Sequence, residues 1–205
     1  MFRSSLKILR ERKIADWISL SATLPFFLSV YFVGSGRPYY ALLAGILAFV
    51  CDSLDGVVAR KLGQASAFGR QLDSSMDALI YLVFPGYFVL VYMNVNFVLT
   101  LVSVSVVLAF GIMRLIRFND VGFVYNKKGQ IGYPGLGTAY IFPAVITLYL
   151  LAEYLDAKFL YLTVPMLLVL SWAMISEHPI GKPRLWLWYP FALACSLLLL
   201  NLIRG

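Results

Sequence analysis

The chain has 205 residues, of which 61% are apolar and only 13% are charged, roughly half the charged share of soluble domains. This composition excludes an ordinary soluble globular protein, because so few polar side chains cannot cover a surface in water. The 17 Lys and Arg exceed the 10 Asp and Glu, which gives a formal net charge of +7. In so apolar a chain we assign the basic excess to a membrane surface rather than to nucleic acid.

Seven mostly apolar stretches approach the roughly 20 residues that a helix needs to cross a bilayer. In chain order they cover Trp17–Val33, Tyr39–Arg60, Leu72–Met93, Phe97–Phe118, Tyr133–Ala152, Phe159–Ser176 and Leu185–Ile203. Short segments rich in Gly, Pro, Asn or charge separate them. The pattern predicts an all-α polytopic transmembrane helix bundle that forms a single domain over residues 1–205.

The basic residues indicate how the bundle is oriented. With a cytoplasmic amino terminus, all but three of the 17 Lys and Arg lie in cytoplasmic segments, the exceptions being Arg37, Lys158 and Arg204. Residues 1–14 mix basic and apolar side chains, which favours a juxtamembrane amphipathic helix on the anionic inner leaflet, with a plain basic tail as the alternative. We therefore expect an integral protein of the cytoplasmic membrane.

Four carboxylates occupy predicted spans, where each charge costs about 2.5 to 3.5 kcal/mol on insertion scales. Asp52 and Asp55 lie at i and i+3 in the second span, and Asp73 and Asp77 lie at i and i+4 in the third. Each pair therefore shares one helix face. At 1.5 Å per residue, Asp52 and Asp77 both lie roughly 12 Å from the cytoplasmic end of their span. The spacing predicts one site between two facing helices, although a single Asp near a helix end could also reach the interface.

Four clustered carboxylates need cations to offset their repulsion. Oxygen ligands without nearby His or Cys favour Mg²⁺ or Mn²⁺, and four of them suit two ions, the arrangement that holds a phosphate during displacement. The small residues Gly56 and Ala59 leave room beside this face, and the Arg60 guanidinium could donate paired hydrogen bonds to phosphate oxygens. The pattern indicates a site for metal and diphosphate.

Together these residues form the pattern Asp52-x2-Asp55-Gly56-x2-Ala59-Arg60-x8-Gly69-x3-Asp73-x3-Asp77. This pattern, which occupies residues 52–77 across the second and third spans, resembles the signature of the CDP-alcohol phosphotransferase family at every one of its positions. The resemblance implies a homodimeric membrane enzyme with a six-span core behind a cytoplasmic amphipathic helix. Such an enzyme transfers a substituted phosphoryl group from a CDP-linked lipid to an alcohol and releases CMP.

The resemblance also implies roles for individual residues. By position, Asp52, Asp55, Asp73 and Asp77 would hold two metal ions, and Asp77 would also take the proton from the attacking hydroxyl. The CDP-donor site would be formed by Gly56, Ala59, Arg60, Gly69 and Ser19. For the start of the first span, which contains Ser19, a helix cap formed by Asp16 is the alternative.

The end of the fourth span concerns the acceptor. Arg114 and Arg117 lie at i and i+3, followed by Asn119, and the stretch resembles the Arg-x-x-Arg-Phe-Asn segment of phosphatidylserine synthases. An acceptor carboxylate would suit the arginine pair, which predicts L-serine as the acceptor. Anchoring at the cytoplasmic interface is the alternative role of the pair. The acceptor loop departs from the usual Gly-Leu-Pro pattern at 132–135, where this chain has Gly-Tyr-Pro-Gly.

Two alternatives remain open. Two arginines could also bind glycerol 3-phosphate or inositol phosphate, so a phosphorylated polyol is the alternative acceptor. A divalent-cation transporter would likewise gather carboxylates, but it would be expected to line a path across the membrane, often with repeated halves. The outer halves of the predicted spans carry almost no ionisable groups, and the sequence shows no repeat. We therefore favour an enzyme.

Overall fold

A computed structural model describes residues 20–61, 67–122, 124–125, 131–181 and 185–204. Within these ranges side chains are described except at 55–61, 67–68, 124–125, 131–134, 179–181 and 185–187. The predicted amphipathic helix at 1–14 and Ser19 lie outside the described residues.

Helices form nearly all of the described chain. They are α1 (Thr23–Gly34), α2 (Pro38–Lys61), α3 (Ala67–Ala78), α4 (Phe84–Tyr92), α5 (Phe97–Val121), α6 (Ile141–Tyr154), α7 (Thr163–Ile175) and α8 (Leu185–Arg204). A π-helical turn, Leu79–Val83, joins α3 to α4, and 3-10 turns precede α6 and α7 at Thr138–Tyr140 and Ala157–Leu162. The predicted all-α bundle is confirmed, and each predicted span corresponds to one helical stretch.

Local sequence explains where several helices begin and end. Asn96 caps α5, its Oδ1 accepting a hydrogen bond from the Leu99 amide at 3.1 Å. Gly122 ends the same helix with φ at 72°, a left-handed conformation that suits glycine. Gly36, with φ at 73°, allows the tight turn between α1 and α2. Helices α1 and α2, on either side of this turn, pack against each other.

Three of the described helical stretches are long and apolar enough to cross a membrane, judged by length and composition: Gly69–Tyr92, Phe97–Val121 and Ala157–Ile175. Shorter apolar helical stretches cover Thr23–Gly34, Pro38–Leu54, Thr138–Tyr154 and Trp188–Arg204. Large apolar side chains such as Trp172 (70% exposed) and Val98 (65%) face outward. Such an apolar surface suits lipid rather than water. The exact number of membrane crossings stays a prediction.

A small antiparallel sheet lies at one end of the bundle, and the sequence pattern did not predict it. Strand β1 (Val124–Tyr125) pairs with β2 (Ile131–Pro134), which pairs with β3 (Pro179–Gly181). The expectation that the fifth span begins at Tyr133 is therefore wrong, since Tyr133 pairs with Ile180. The helix cannot start there because Gly135 has φ at 77°, and helical structure begins only at Thr138.

Candidate metal centre

Three of the four predicted carboxylates meet at the end of the bundle where α2 ends and α3 begins, which we call the carboxylate end. Asp52 on α2 and Asp73 and Asp77 on α3 each offer a carboxylate oxygen, and these oxygens lie within 4.8 Å of one another. Asp52 is buried, whereas Asp73 and Asp77 are half-buried. The i, i+4 spacing places the α3 pair on the face that meets Asp52.

The remaining residues of the sequence signature lie next to this cluster along the chain. Asp55 follows Asp52 by three residues in α2, and Gly69 precedes Asp73 by four in α3. The side chains of Asp55, Ala59 and Arg60 lie outside the described residues, as does the surface around Gly56. Their predicted roles stay predictions.

The donor set fits a hard divalent ion. Two oxygens on opposite sides of a Mg²⁺ ion are about 4.2 Å apart, twice the usual Mg–O distance. The three carboxylates span 4.8 Å, so a small side-chain movement would bring an oxygen from each into one coordination sphere. Without a cation, three carboxylates this close would repel one another. Asp52, Asp73 and Asp77 could therefore hold a divalent metal.

Tyr81 also contacts the cluster, which the sequence pattern did not predict. Its Oη donates a hydrogen bond to Oδ2 of Asp52 at 2.5 Å. The signal was present in the spacing, because Tyr81 continues the i, i+4 series of Asp73 and Asp77. It escaped notice because a tyrosine in an apolar stretch has the pattern of an ordinary packed residue.

The two predicted acceptor arginines lie near the end of α5 in different surroundings. Arg114 is buried, 5% exposed, and its guanidinium carbon lies 5.2 Å from the centre of the Phe118 ring. Arg117 donates hydrogen bonds to backbone carbonyls of Met174 (3.1 Å), Ile175 (3.2 Å) and Ser176 (3.1 Å) at the end of α7. A helix carboxyl end presents unpaired carbonyls and a partial negative charge. Arg117 therefore joins the end of α7 to α5.

Asn119 connects the arginine helix to the carboxylate helix. Its Oδ1 accepts a hydrogen bond from Oγ of Ser74, the residue after Asp73, at 3.0 Å. Helices α3 and α5 also pack against each other. The structure thus places all three predicted acceptor residues at the carboxylate end.

The loop before α6 closes against the arginines. An added Cβ at Gly135 would lie 2.9 Å from Nη2 of Arg117 and 2.9 Å from the Ser176 carbonyl oxygen. The Leu136 amide donates to the Ala173 carbonyl at 2.9 Å. An added Cβ at Gly137 would lie 3.7 Å from Nη2 of Arg114. Gly135 therefore lets this loop approach the Arg117 guanidinium closely, whereas a side chain at Gly137 would meet Arg114 at ordinary contact distance.

Comparisons with known proteins identify the family of the chain. Residues 12–175 match the CDP-alcohol phosphatidyltransferase family. The chain is 43% identical over 88 residues to the CDP-diacylglycerol–serine O-phosphatidyltransferase of Methanocaldococcus jannaschii, covering 43% of this chain and 41% of that relative. It is 30% identical over 177 residues to the archaetidylserine synthase of Methanothermobacter thermautotrophicus, covering 80% of this chain and 72% of that relative.

A further relative is the CDP-diacylglycerol–serine O-phosphatidyltransferase of Helicobacter pylori, 30% identical over 136 residues, with 66% of this chain and 54% of that relative covered. The matched segments thus span about half the length of the first and third of these relatives. The family match covers most of the chain, from ahead of α1 to the end of α7, and it contains all three clustered carboxylates. On this evidence the chain belongs to the CDP-alcohol phosphatidyltransferase family.

Proposed function

We propose that this protein transfers a phosphatidyl group, or its ether-lipid equivalent, from a CDP-linked lipid to L-serine and releases CMP. The observation that carries the proposal is the convergence of Asp52, Asp73 and Asp77 at the same end of the bundle as Arg114 and Arg117. The family match supports the choice of reaction, and the names of the three relatives, two with serine as acceptor and one with archaetidylserine as product, support the choice of acceptor.

The carboxylates would hold the metal and activate the acceptor. Asp52, Asp55, Asp73 and Asp77 are proposed as ligands of two Mg²⁺ or Mn²⁺ ions, which when bound would offset the charge of the diphosphate. Asp77 is proposed to accept the proton from the serine hydroxyl. The hydroxyl oxygen then forms a bond to the lipid-linked phosphorus, the bond from that phosphorus to the bridging oxygen breaks, and CMP departs with the electron pair.

The donor would bind along the faces of α2 and α3 next to the carboxylates. Gly56, Ala59 and Gly69 carry little or no side chain, so the CDP group could approach the helix backbones closely. Arg60 is proposed to bind phosphate oxygens, and Ser19 to complete the site from the first span. Gly69 lies four residues before Asp73 and thus on the same helical face.

The arginines would select the acceptor. We propose that the serine carboxylate binds at Arg114 and Arg117, with Asn119 holding α5 against α3. The hydrogen bonds of Arg117 to three carbonyls hold its guanidinium in one place, so that no further ordering is needed when the acceptor binds. A phosphate group would also suit two arginines, so the acceptor assay must include phosphorylated polyols.

The test is release of CMP by purified protein from CDP-diacylglycerol and its archaeol analogue, with Mg²⁺ or Mn²⁺. Serine, glycerol 3-phosphate and inositol phosphate are offered separately. We expect release that requires both metal and serine. Release with only a phosphorylated polyol would keep the family reaction but contradict serine, and no release with any acceptor would contradict the proposed activity. Asp156→Asn is a matched control for the Asp77→Asn variant, because Asp156 lies at the opposite end of the bundle.

The proposed location is the cytoplasmic membrane, with the carboxylate end facing the cytoplasm and the protein acting as a homodimer. A membrane-impermeant thiol reagent tests the orientation on variants that lack Cys51 and Cys195. Arg70→Cys at the carboxylate end should react only in inside-out vesicles. Arg37→Cys, in the exposed turn before α2, should react only in intact cells. The reverse pattern would contradict the orientation.

A further inference from the structure

Tyr81 lies outside the sequence signature, yet its hydroxyl contacts one of the signature carboxylates. The residue is 3% exposed, and its Oη lies 2.5 Å from Oδ2 of Asp52. Hydrogen bonds from a hydroxyl to an ionised carboxylate are typically about 2.5 to 2.7 Å long. The distance therefore fits a strong hydrogen bond from Tyr81 to Asp52.

Tyr81 lies in a local irregularity of the helix. In a regular α-helix the amide of residue 85 would donate to the Tyr81 carbonyl, but Pro85 has no amide hydrogen and its ring would clash with that carbonyl. The chain instead widens into a π turn over Leu79–Val83, and the Phe84 amide donates to the Leu79 carbonyl. Single π turns occur frequently at functional sites. Here the wide turn contains the tyrosine that contacts the carboxylate cluster.

Aromatic packing holds the Tyr81 ring in place. Phe49, one turn before Asp52 on α2, meets it edge to face with ring centres 5.8 Å apart. Phe49 in turn meets Trp188 of α8 edge to face, also at 5.8 Å. Such pairs are worth about 0.5 to 1.5 kcal/mol beyond the area they bury. The hydroxyl is thus directed at Asp52 by a ring that has little freedom to move.

We propose that Tyr81 is a positioning residue for the metal centre. An Asp side chain turns about two single bonds, and a hydrogen bond to Oδ2 orients its carboxylate toward Asp73 and Asp77. Hydrogen-bond partners of metal ligands commonly contribute about 10- to 100-fold to metal affinity. The inference rests on the proposed function, because it assigns Asp52 to a metal site.

The test is binding of Mn²⁺ to the purified full-length protein without substrates, followed by the electron paramagnetic resonance signal of free Mn²⁺. Tyr81→Phe keeps the ring and removes only the hydroxyl. We expect the variant to bind Mn²⁺ about 10- to 100-fold more weakly than the wild type. An unchanged affinity would overturn the proposal.

Tyr92→Phe is the matched control. Tyr92 belongs to the same continuous helical stretch, and the change likewise removes one hydroxyl hydrogen bond, here to the Val33 carbonyl at 2.9 Å. We expect its Mn²⁺ affinity to equal that of the wild type. An equal loss of affinity in both variants would show a general effect of lost packing and would contradict positioning by Tyr81.

A double variant tests whether Tyr81 acts through Asp52. If it does, Asp52→Asn combined with Tyr81→Phe should bind Mn²⁺ no more weakly than Asp52→Asn alone. If the double variant lost Mn²⁺ affinity by the product of the two single losses, Tyr81 would not act through Asp52 and the proposal would be contradicted. The thermal unfolding midpoint, measured in EDTA and again with Mn²⁺, provides a second readout. If Tyr81 were purely structural, Tyr81→Phe would lower the midpoint in EDTA, but Mn²⁺ would raise the midpoint of the variant as much as that of the wild type.

The outcomes separate the inference from the proposed function. A wild-type protein that binds no Mn²⁺ would contradict the metal centre and therefore both proposals. Wild-type binding together with an unaffected Tyr81→Phe would contradict only the positioning role. Metal binding that depends on Tyr81, in a protein that releases no CMP, would support the inference and contradict the proposed reaction.

Discussion

The two ends of the bundle differ in how far their charged side chains are buried. At the carboxylate end Asp52 and Arg114 are buried, and Asp52 accepts a hydrogen bond from the buried Tyr81. At the opposite end the ion pair between Asp156 and Lys158, 3.5 Å long, leaves its side chains 49% and 84% exposed. Charge at the opposite end is therefore accessible to solvent or headgroups, whereas Asp52 and Arg114 at the carboxylate end have been removed from them.

This difference indicates where function lies. Burying a charge costs several kcal/mol unless partners offset the cost, so a fold selected only for stability would avoid it. Exposed ion pairs change the stability of the fold little in either direction. The charges that converge from α2, α3 and α5, with Asp52 and Arg114 buried, therefore indicate a working site, and the opposite end indicates a scaffold. Variants at both ends test this difference.

The largest expected effect is that of Asp77→Asn on turnover. Loss of a general base typically lowers a rate by about 10² to 10⁴-fold, and a lost metal ligand would add to that. CDP-lipid binding should persist, because the remaining signature residues are intact. CMP release and equilibrium binding of the donor measure the two properties separately. Normal turnover of Asp77→Asn would show that Asp77 is not the general base.

Phe88→Ala should have the largest effect on stability without affecting the metal centre. Phe88 is fully buried, and its ring centre lies 5.0 Å from that of Tyr92 and 5.1 Å from that of Tyr149. Replacing a buried Phe by Ala costs about 3 to 5 kcal/mol. We expect a lower thermal midpoint in detergent but an unchanged Mn²⁺ affinity. A matching loss of metal affinity would show that the two regions are coupled.

Arg117→Ala should raise the serine KM far more than the donor KM. Hydrogen bonds to charged groups contribute about 1.5 to 3 kcal/mol each, which corresponds to roughly 10- to 100-fold in KM if one to the acceptor is lost. The change also removes three contacts to the end of α7, so some loss of stability should accompany it. Arg37→Ala at the opposite end is the control. Equal increases in both KM values would leave Arg117 with a structural role alone.

Asp156→Ala should have the smallest effect. The residue forms an exposed ion pair and caps the Ala157–Leu162 turn by accepting from the Lys158 amide at 2.8 Å. An exposed pair is worth about 0 to 1 kcal/mol and a cap about 1 kcal/mol. The thermal midpoint should fall slightly and turnover should stay unchanged. A large loss of turnover would contradict the view of this end as a scaffold.

The sequence predicted the features that depend on helical periodicity. The seven helical stretches follow from runs of apolar residues, and the i, i+4 spacing of Asp73 and Asp77 follows from the helical repeat. Antiparallel pairing through a short connection brings them level with Asp52, since rise per residue determines depth. These relations are local or nearly so, and they can be read from spacing.

Tertiary structure alone decided the contacts made by distant segments. Arg117 binds carbonyls 57 to 59 residues later in the chain, and β2 pairs with β3 across a similar separation. Strands of two to four residues carry too little periodicity to be recognised, and backbone carbonyls leave no mark in a side-chain pattern. The contact of Tyr81 with Asp52 likewise depends on how the face that carries Tyr81 packs against α2. Spacing therefore determined which residues share a face, and packing between helices determined which partners those faces meet.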